Sequence, residues 1–381
     1  MRPASRLLAR LDAGITAAKT PLAADCLKAE RAVYLARQGR FEEVTDILAA
    51  LHRRYDVRPN VRISCWLGLA EGLQSYFSDM GPSARDKLRR THALSTSAGL
   101  APLRALSAAW LAHIDYLRMD VAAMTQHAGE ALQIADPLHD AARSRANLVV
   151  AQALHEAGRF DLAQPWYARA RLHANAEGDD ATLSALMYNM ASLRAANVRQ
   201  ALLGGVADEA EERHLLLSAD SARRFEFMVG VTSLPDFAPL IRAQILSTEG
   251  HPQIALALYE KHMAAGLAQG LGHLKASMLA DQAWTRVQVG QREAALADAL
   301  AARACLDPSG QPGDIAPAHG RLAQVFEALG DPAAADAEKA LAAKAWRGHA
   351  EVQQQTVKAL GSLTAFGPAQ GTADVPPGSA G

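Results

Sequence analysis

The residues best equipped for chemistry are few and scattered. His155 and Glu156 stand side by side, an imidazole and a carboxylate, the two groups a general acid–base pair would use. Neighbours on a helix face about 100° apart, so this pair diverges instead of converging on one atom. Gly266, Gly270 and Gly272 suggest a phosphate-cradling loop, but Lys275 takes the place of the third glycine and no strand precedes the segment. The 13 histidines are dispersed, and none stands three or four residues from another. Cys26, Cys65 and Cys305 form no CxxC pair and read as reduced, mostly buried thiols. No P-loop, nucleophile elbow, HExxH or kinase-type motif is present. These residues predict a chain that is not an enzyme and carries no cofactor and no metal.

Charge narrows the partners. The chain has 39 Lys+Arg against 40 Asp+Glu, for a net charge of -1. A protein that coats nucleic acid or adheres to anionic membranes needs a positive field, so neither is expected. Two local basic clusters, Arg53, Arg54, Arg58 and Arg62, then Arg85, Lys87, Arg89 and Arg90, read as a solvated convex face with Asp56 and Asp86 nearby. Charges interrupt every apolar stretch near the N-terminus, and no run of about 18 uncharged apolar residues occurs. The expected location is the cytoplasm.

The elements that must position any site are repeats. Residues are 50% hydrophobic but only 5% aromatic. Alanine supplies much of the apolar count, which suits many closely packed helices. A phrase recurs: apolar helix, glycine-centred turn, apolar helix. Its clearest copies are Leu35-Ala36-Arg37-Gln38-Gly39-Arg40-Phe41 and Leu154-His155-Glu156-Ala157-Gly158-Arg159-Phe160, with weaker ones at Gly250, Gly290 and Gly330. Seven residues before each glycine sits Ala32, Ala151, Ala243, Ala283 or Ala323. Five residues after sits Val44, Ala163, Ala255, Ala295 or Ala335. Glycine closes the first helix with a left-handed φ, and the small residues let two antiparallel helices approach. Gly250, Gly290 and Gly330 are 40 residues apart, and Gly39 and Gly158 are 119 apart. Degenerate turns are therefore expected near Gly81, near Met119 (with Ala112 and Met124 in register) and near Val198.

This register resembles the tetratricopeptide repeat, in a long-period form similar to the sensor regions of maltose-regulator-type bacterial transcription activators. The resemblance implies an all-α, right-handed solenoid of about eight helix pairs. Residues 1–19 would form a capping helix with Leu7, Leu8, Leu11 and Ile15 on one face, residues 20–350 the array, and residues 351–381 a helix end and a disordered tail. Residues 201–235 are less regular, with a turn at Gly204-Gly205, an acidic helix start at Asp208, Glu209, Glu211 and Glu212, and a break over 230–235; a polar loop is expected over 307–315.

The same resemblance places an inner groove on the first helix of each pair. Its positions are Val33, Gln152, Gln244, Trp284 and Gln324, then Ala36, His155, Ser247, Val287 and Glu327, with Ser192, Ala195 and Tyr188 on the degenerate copy. The candidate site is Gln152, His155, Tyr188, Ser192, Gln244, Trp284 and Gln324. Three glutamines at one repeat position would form a ladder of amides able to donate to and accept from a peptide backbone. The leading expectation is a regulatory adaptor holding a peptide or protein partner in that groove. The alternative is a small-molecule sensor that signals to an effector supplied in trans. An enclosed apolar pocket near Trp284 or Tyr188 would favour the sensor; an open polar groove would favour the peptide.

Overall fold

The computed structural model describes residues 5–79, 83–204, 236–248, 250–268, 271–307 and 310–366. Among them are sixteen α-helices and no strand. These are α1 (Arg6–Ala17), α2 (Pro21–Arg37), α3 (Phe41–Tyr55), α4 (Val61–Asp79), α5 (Ser83–Ser97), α6 (Ala101–Leu117), α7 (Val121–Ile134), α8 (Asp140–Glu156), α9 (Phe160–Glu177), α10 (Asp180–Gly204), α11 (Phe237–Thr248), α12 (Pro252–Ala268), α13 (Lys275–Gln288), α14 (Arg292–Cys305), α15 (Pro312–Leu329) and α16 (Pro332–Leu360). Seven hairpins run α2–α3, α4–α5, α6–α7, α8–α9, α11–α12, α13–α14 and α15–α16, and α10 stands between the fourth and fifth. Neighbouring hairpins pack through their first helices, α2 on α4, α6 on α8 and α13 on α15, as a helical-repeat solenoid does.

The glycine–alanine register builds these hairpins. Gly39, Gly158, Gly250, Gly290 and Gly330 take φ of 73°, 73°, 81°, 82° and 86°, the left-handed conformation that costs glycine nothing. All ten small residues in register with them are at most 2% exposed. Each sits where two helix backbones come closest, and added volume there would force them apart at roughly 1–3 kcal/mol. Met119 occupies the degenerate turn as the one non-glycine residue of positive φ among those described, at 54°. Ala112 and Met124 around it are 0% and 1% exposed, as the register requires.

Several expectations need correction. No turn occurs near Val198, because α10 runs unbroken from Asp180 to Gly204. The last helix, α16, has 29 residues and ends at Leu360. Gly361–Phe366 is a 3₁₀ turn with Leu363 buried. The polar loop over 307–315 ends early, because Pro312 opens α15 at its first turn. Cys305 is exposed, whereas Cys65 is buried. Arg54 and Arg85 pair across helices with Asp25 (3.0 Å) and Asp115 (2.7 Å), instead of with Asp56 and Asp86. The turn near Gly81, most of residues 201–235, and residues 367–381 lie outside the described residues.

Two long-range closures distinguish the fold from an open spiral. The start of α1 meets the corner between α9 and α10. There Leu7 N donates to Gly178 O (3.2 Å), Arg6 pairs with Asp180 (2.9 Å) and Arg10 pairs with Glu177. At the other end, the last turns of α16 fold back on α7 and α8. Leu360 and Leu363 join Met124, Ala128 and Trp166 in one core, and Gln353 Nε2 donates to Glu156 O (3.1 Å). Arg169 of α9 also donates to Phe366 O.

Candidate functional site

The inner wall is closed at α8 and partly open along the other first helices. Gln152, His155 and Ser247 are 4%, 3% and 2% exposed. Tyr188, Ser192, Gln244, Trp284 and Gln324 keep partial exposure. The His155 ring lies between Phe160 and Tyr167, with Nδ1 3.1 Å from the Tyr167 hydroxyl, so it fastens α8 to α9. Glu156 turns the other way, toward Tyr116, as the angular offset of adjacent helix residues demands. Tyr188 stacks against Phe237 at 5.2 Å. The glutamines do not form a ladder. Gln152 is boxed in with its Oε1 unpartnered, while Gln244 and Gln324 are drawn into another cluster.

That cluster centres on Asp281, a residue outside the sequence register. Asp281 Oδ1 accepts from Arg199 Nε and from Arg321 Nε, both at 3.0 Å, and Oδ2 accepts from Gln244 Nε2 at 3.0 Å. Gln324 Oε1 accepts from Arg321 Nη1 (2.7 Å), and the Trp284 ring faces the Arg321 guanidinium at 5.7 Å. Three of the expected groove residues thus meet at one place, supplied by α11, α13 and α15, with Arg199 reaching in from α10. Burial lowers the Arg321 pKa and the Asp281 charge holds it up.

Two partly open cavities among the described residues are large enough to take a small molecule. The larger, about 370 Å³, lies where α16 and the start of α15 close over α6 and α8. Tyr76, Tyr116, Arg85, Glu156, Asp314 and His349 are among its lining. Burial and the nearby Asp314 charge raise the Glu156 carboxyl, and a hydrogen bond from Tyr116 offsets part of that. Burial lowers His349, which favours its neutral form.

The second cavity, about 250 Å³, is lined by α1, α2, α4, α6, α8, the end of α9 and the start of α10. Leu7, Leu11, Leu106, Trp66 and Trp110 give it an apolar wall. Arg37, Arg145 and Asp179 give it a charged one. Arg37 and Asp179 form a two-pronged pair at 2.7 and 2.9 Å. Thr182, in the first turn of α10, donates to Asp179 from both its amide (2.9 Å) and its hydroxyl (2.8 Å). The Asp179 carboxyl is lowered by Arg37 and these hydrogen bonds, against the opposing effect of its burial. Sequence reading missed this site because Arg37, Arg145 and Asp179 are far apart in the chain and carry no shared spacing.

Among the described residues, no cluster of three or more His, Cys, Asp or Glu could hold a metal ion. No described helix is long and apolar enough to cross a membrane. No protein-family model matches the chain, and no curated protein is significantly similar to it.

Proposed function

We propose that the chain is a non-enzymatic regulatory solenoid that takes a small molecule into its interior and transmits occupancy to a protein partner supplied in trans. The observation that carries this reading is the closure of the inner wall at α8. The groove positions on α8 are 3–4% exposed, out of reach of an extended peptide. Partly open volumes of about 250 and 370 Å³ lie between the helices instead, away from Trp284 and Tyr188. Each is bounded by the first helices of successive hairpins, so a molecule bridging them changes their spacing and hence the superhelical pitch. A ligand shifts such an equilibrium only by its differential affinity for the two arrangements.

The competing reading, a peptide or protein partner held along the inner face, draws on the partial exposure of Trp284, Gln324 and Gln244. The test separates the two. The full chain is screened by thermal shift against small-molecule and peptide libraries, and hits are followed by isothermal titration and X-ray scattering. The expected result is a small molecule that raises the melting temperature and changes the radius of gyration. Binding of peptides alone, abolished by Gln152→Ala with Gln244→Ala, would overturn the proposal.

A further inference from the structure

The 250 Å³ cavity contains a cation without an anion. Arg145 is 5% exposed, yet among the described residues no carboxylate pairs with it. Its one side-chain hydrogen bond is a long 3.5 Å contact from Nη2 to Thr182 Oγ1, and its Nε has no partner. The nearest carboxylate, Asp179, has nothing left to give. Each of its oxygens already accepts from Arg37 and from Thr182, which fills the lone pairs a carboxylate offers. The Trp110 face lies under the guanidinium at 4.0 Å and compensates it in part. Neighbouring Tyr76 supplies no charge: its hydroxyl meets His113 Nε2 at 2.9 Å, and burial raises its pKa. Burial and the Arg37 charge push Arg145 down to about 9, which leaves it a cation at neutral pH. A second unpartnered polar atom, His139 Nδ1, belongs to another residue lining the same cavity.

On the ligand-binding reading above, we infer that this cavity is a site for a small organic monocarboxylate, whose carboxylate pairs with Arg145 and whose apolar or aromatic body lies on the wall formed by Trp66, Leu106 and Leu138. A carboxylate matches the two-donor fork of a guanidinium. A phosphate suits the site less. It would bring more charge against a single free cation, beside Asp179, Glu177 and Asp140 already in the wall. Leu138, 85% exposed, stands at the rim and marks the side open to solvent.

Isothermal titration of the full chain with a panel from formate through hexanoate to indole-3-acetate, with the matching amides and inorganic phosphate, tests this. The expected result is a carboxylate that binds at least tenfold more tightly than its amide and than phosphate. Arg145→Met should erase that preference and Arg145→Lys should restore part of it. A readout without ligand accompanies it: Arg145→Met should melt at or above the wild-type temperature, because it removes an uncompensated buried charge. An Arg145→Met variant that folds but melts well below wild type would assign Arg145 a structural role and overturn the inference. So would a panel in which no carboxylate outbinds its amide. If amides or other neutral molecules bind equally well, the anion site falls while the ligand-sensing reading stands. If no small molecule binds and peptides do, both fall.

Discussion

Between α2 and α10, and again between α10 and α15, the solenoid buries two arginines against a single aspartate. The charge arithmetic is the same, and the outcome differs. In the C-terminal cluster Asp281 is shared: Arg199 and Arg321 both reach it, and Gln244 fills a remaining lone pair. In the N-terminal cluster Asp179 is monopolised by Arg37 and Thr182, and Arg145 is left beside an open volume. A shared carboxylate makes a strut that ties three helices. A monopolised one leaves a vacancy for charge, which is what a binding site requires. The difference arises from Thr182, one turn into α10, whose amide and hydroxyl take the lone pairs that Arg145 would otherwise use.

The sharpest way to break this comparison is Asp281→Ala. It strands two buried guanidiniums and should cost about 3–5 kcal/mol in urea unfolding, the range for removing one partner of a buried pair. A loss below about 1 kcal/mol would mean that the strut is not a strut. Asp179→Ala should cost less, about 1–3 kcal/mol, because the adjoining cavity admits water to the freed Arg37 and Arg145. Equal losses for the two variants would erase the distinction drawn here.

A smaller effect contrasts the turns of the two halves. Gly290→Ala puts a side chain at a φ of 82° and should destabilise by about 1–2 kcal/mol. Met119→Gly relieves the same strain at 54° but removes side-chain packing around the larger cavity. It should leave stability within about 1 kcal/mol of wild type.

A pH slope from the N-terminal cavity sharpens the comparison without any substitution. The Glu30 carboxyl in its wall is raised to about 7 by burial and by the Glu177 charge, with Arg10 acting in the opposite direction. Its folded pKa lies above its unfolded one, so the folded state favours the proton. That stabilisation is full below about pH 4.5 and disappears as pH rises through about 7. Melting temperature should therefore fall by a few degrees from this group between pH 5 and 8, and Glu30→Gln should flatten that part of the profile.

The sequence was most legible where structure is local. A left-handed glycine and two small residues at fixed offsets specify one hairpin, and all five copies occupy that geometry. Even the copy that lost its glycine was legible, because Ala112 and Met124 hold the register around Met119. Where a turn signal was only inferred from spacing, as at Val198, the helix continued. Residues 189–203 contain no glycine or proline to stop it. The sites were less legible. Gln244, Trp284 and Gln324 were found by register, but their organiser Asp281 lies on the same helix as Trp284 and off the register. Arg145, Asp179 and Thr182 meet only because α8 and α10 pack side by side, a pairing no periodicity encodes. The burial of Gln152 and His155 follows from packing against neighbouring helices, which an alphabet of single repeats does not describe.

The return of α16 to the middle of the chain has a mechanical consequence. In an open array, pulling on the last hairpin disturbs only its neighbour, and repeats peel away one at a time. Here Leu360 and Leu363 are buried with Met124 and Trp166, more than 190 residues earlier in the chain. Tension on the C-terminal end is therefore delivered first to α7 and to α8, which lies in the wall of both cavities, while the intervening hairpins form a loop held at its neck. Releasing that clasp would loosen the whole loop at once.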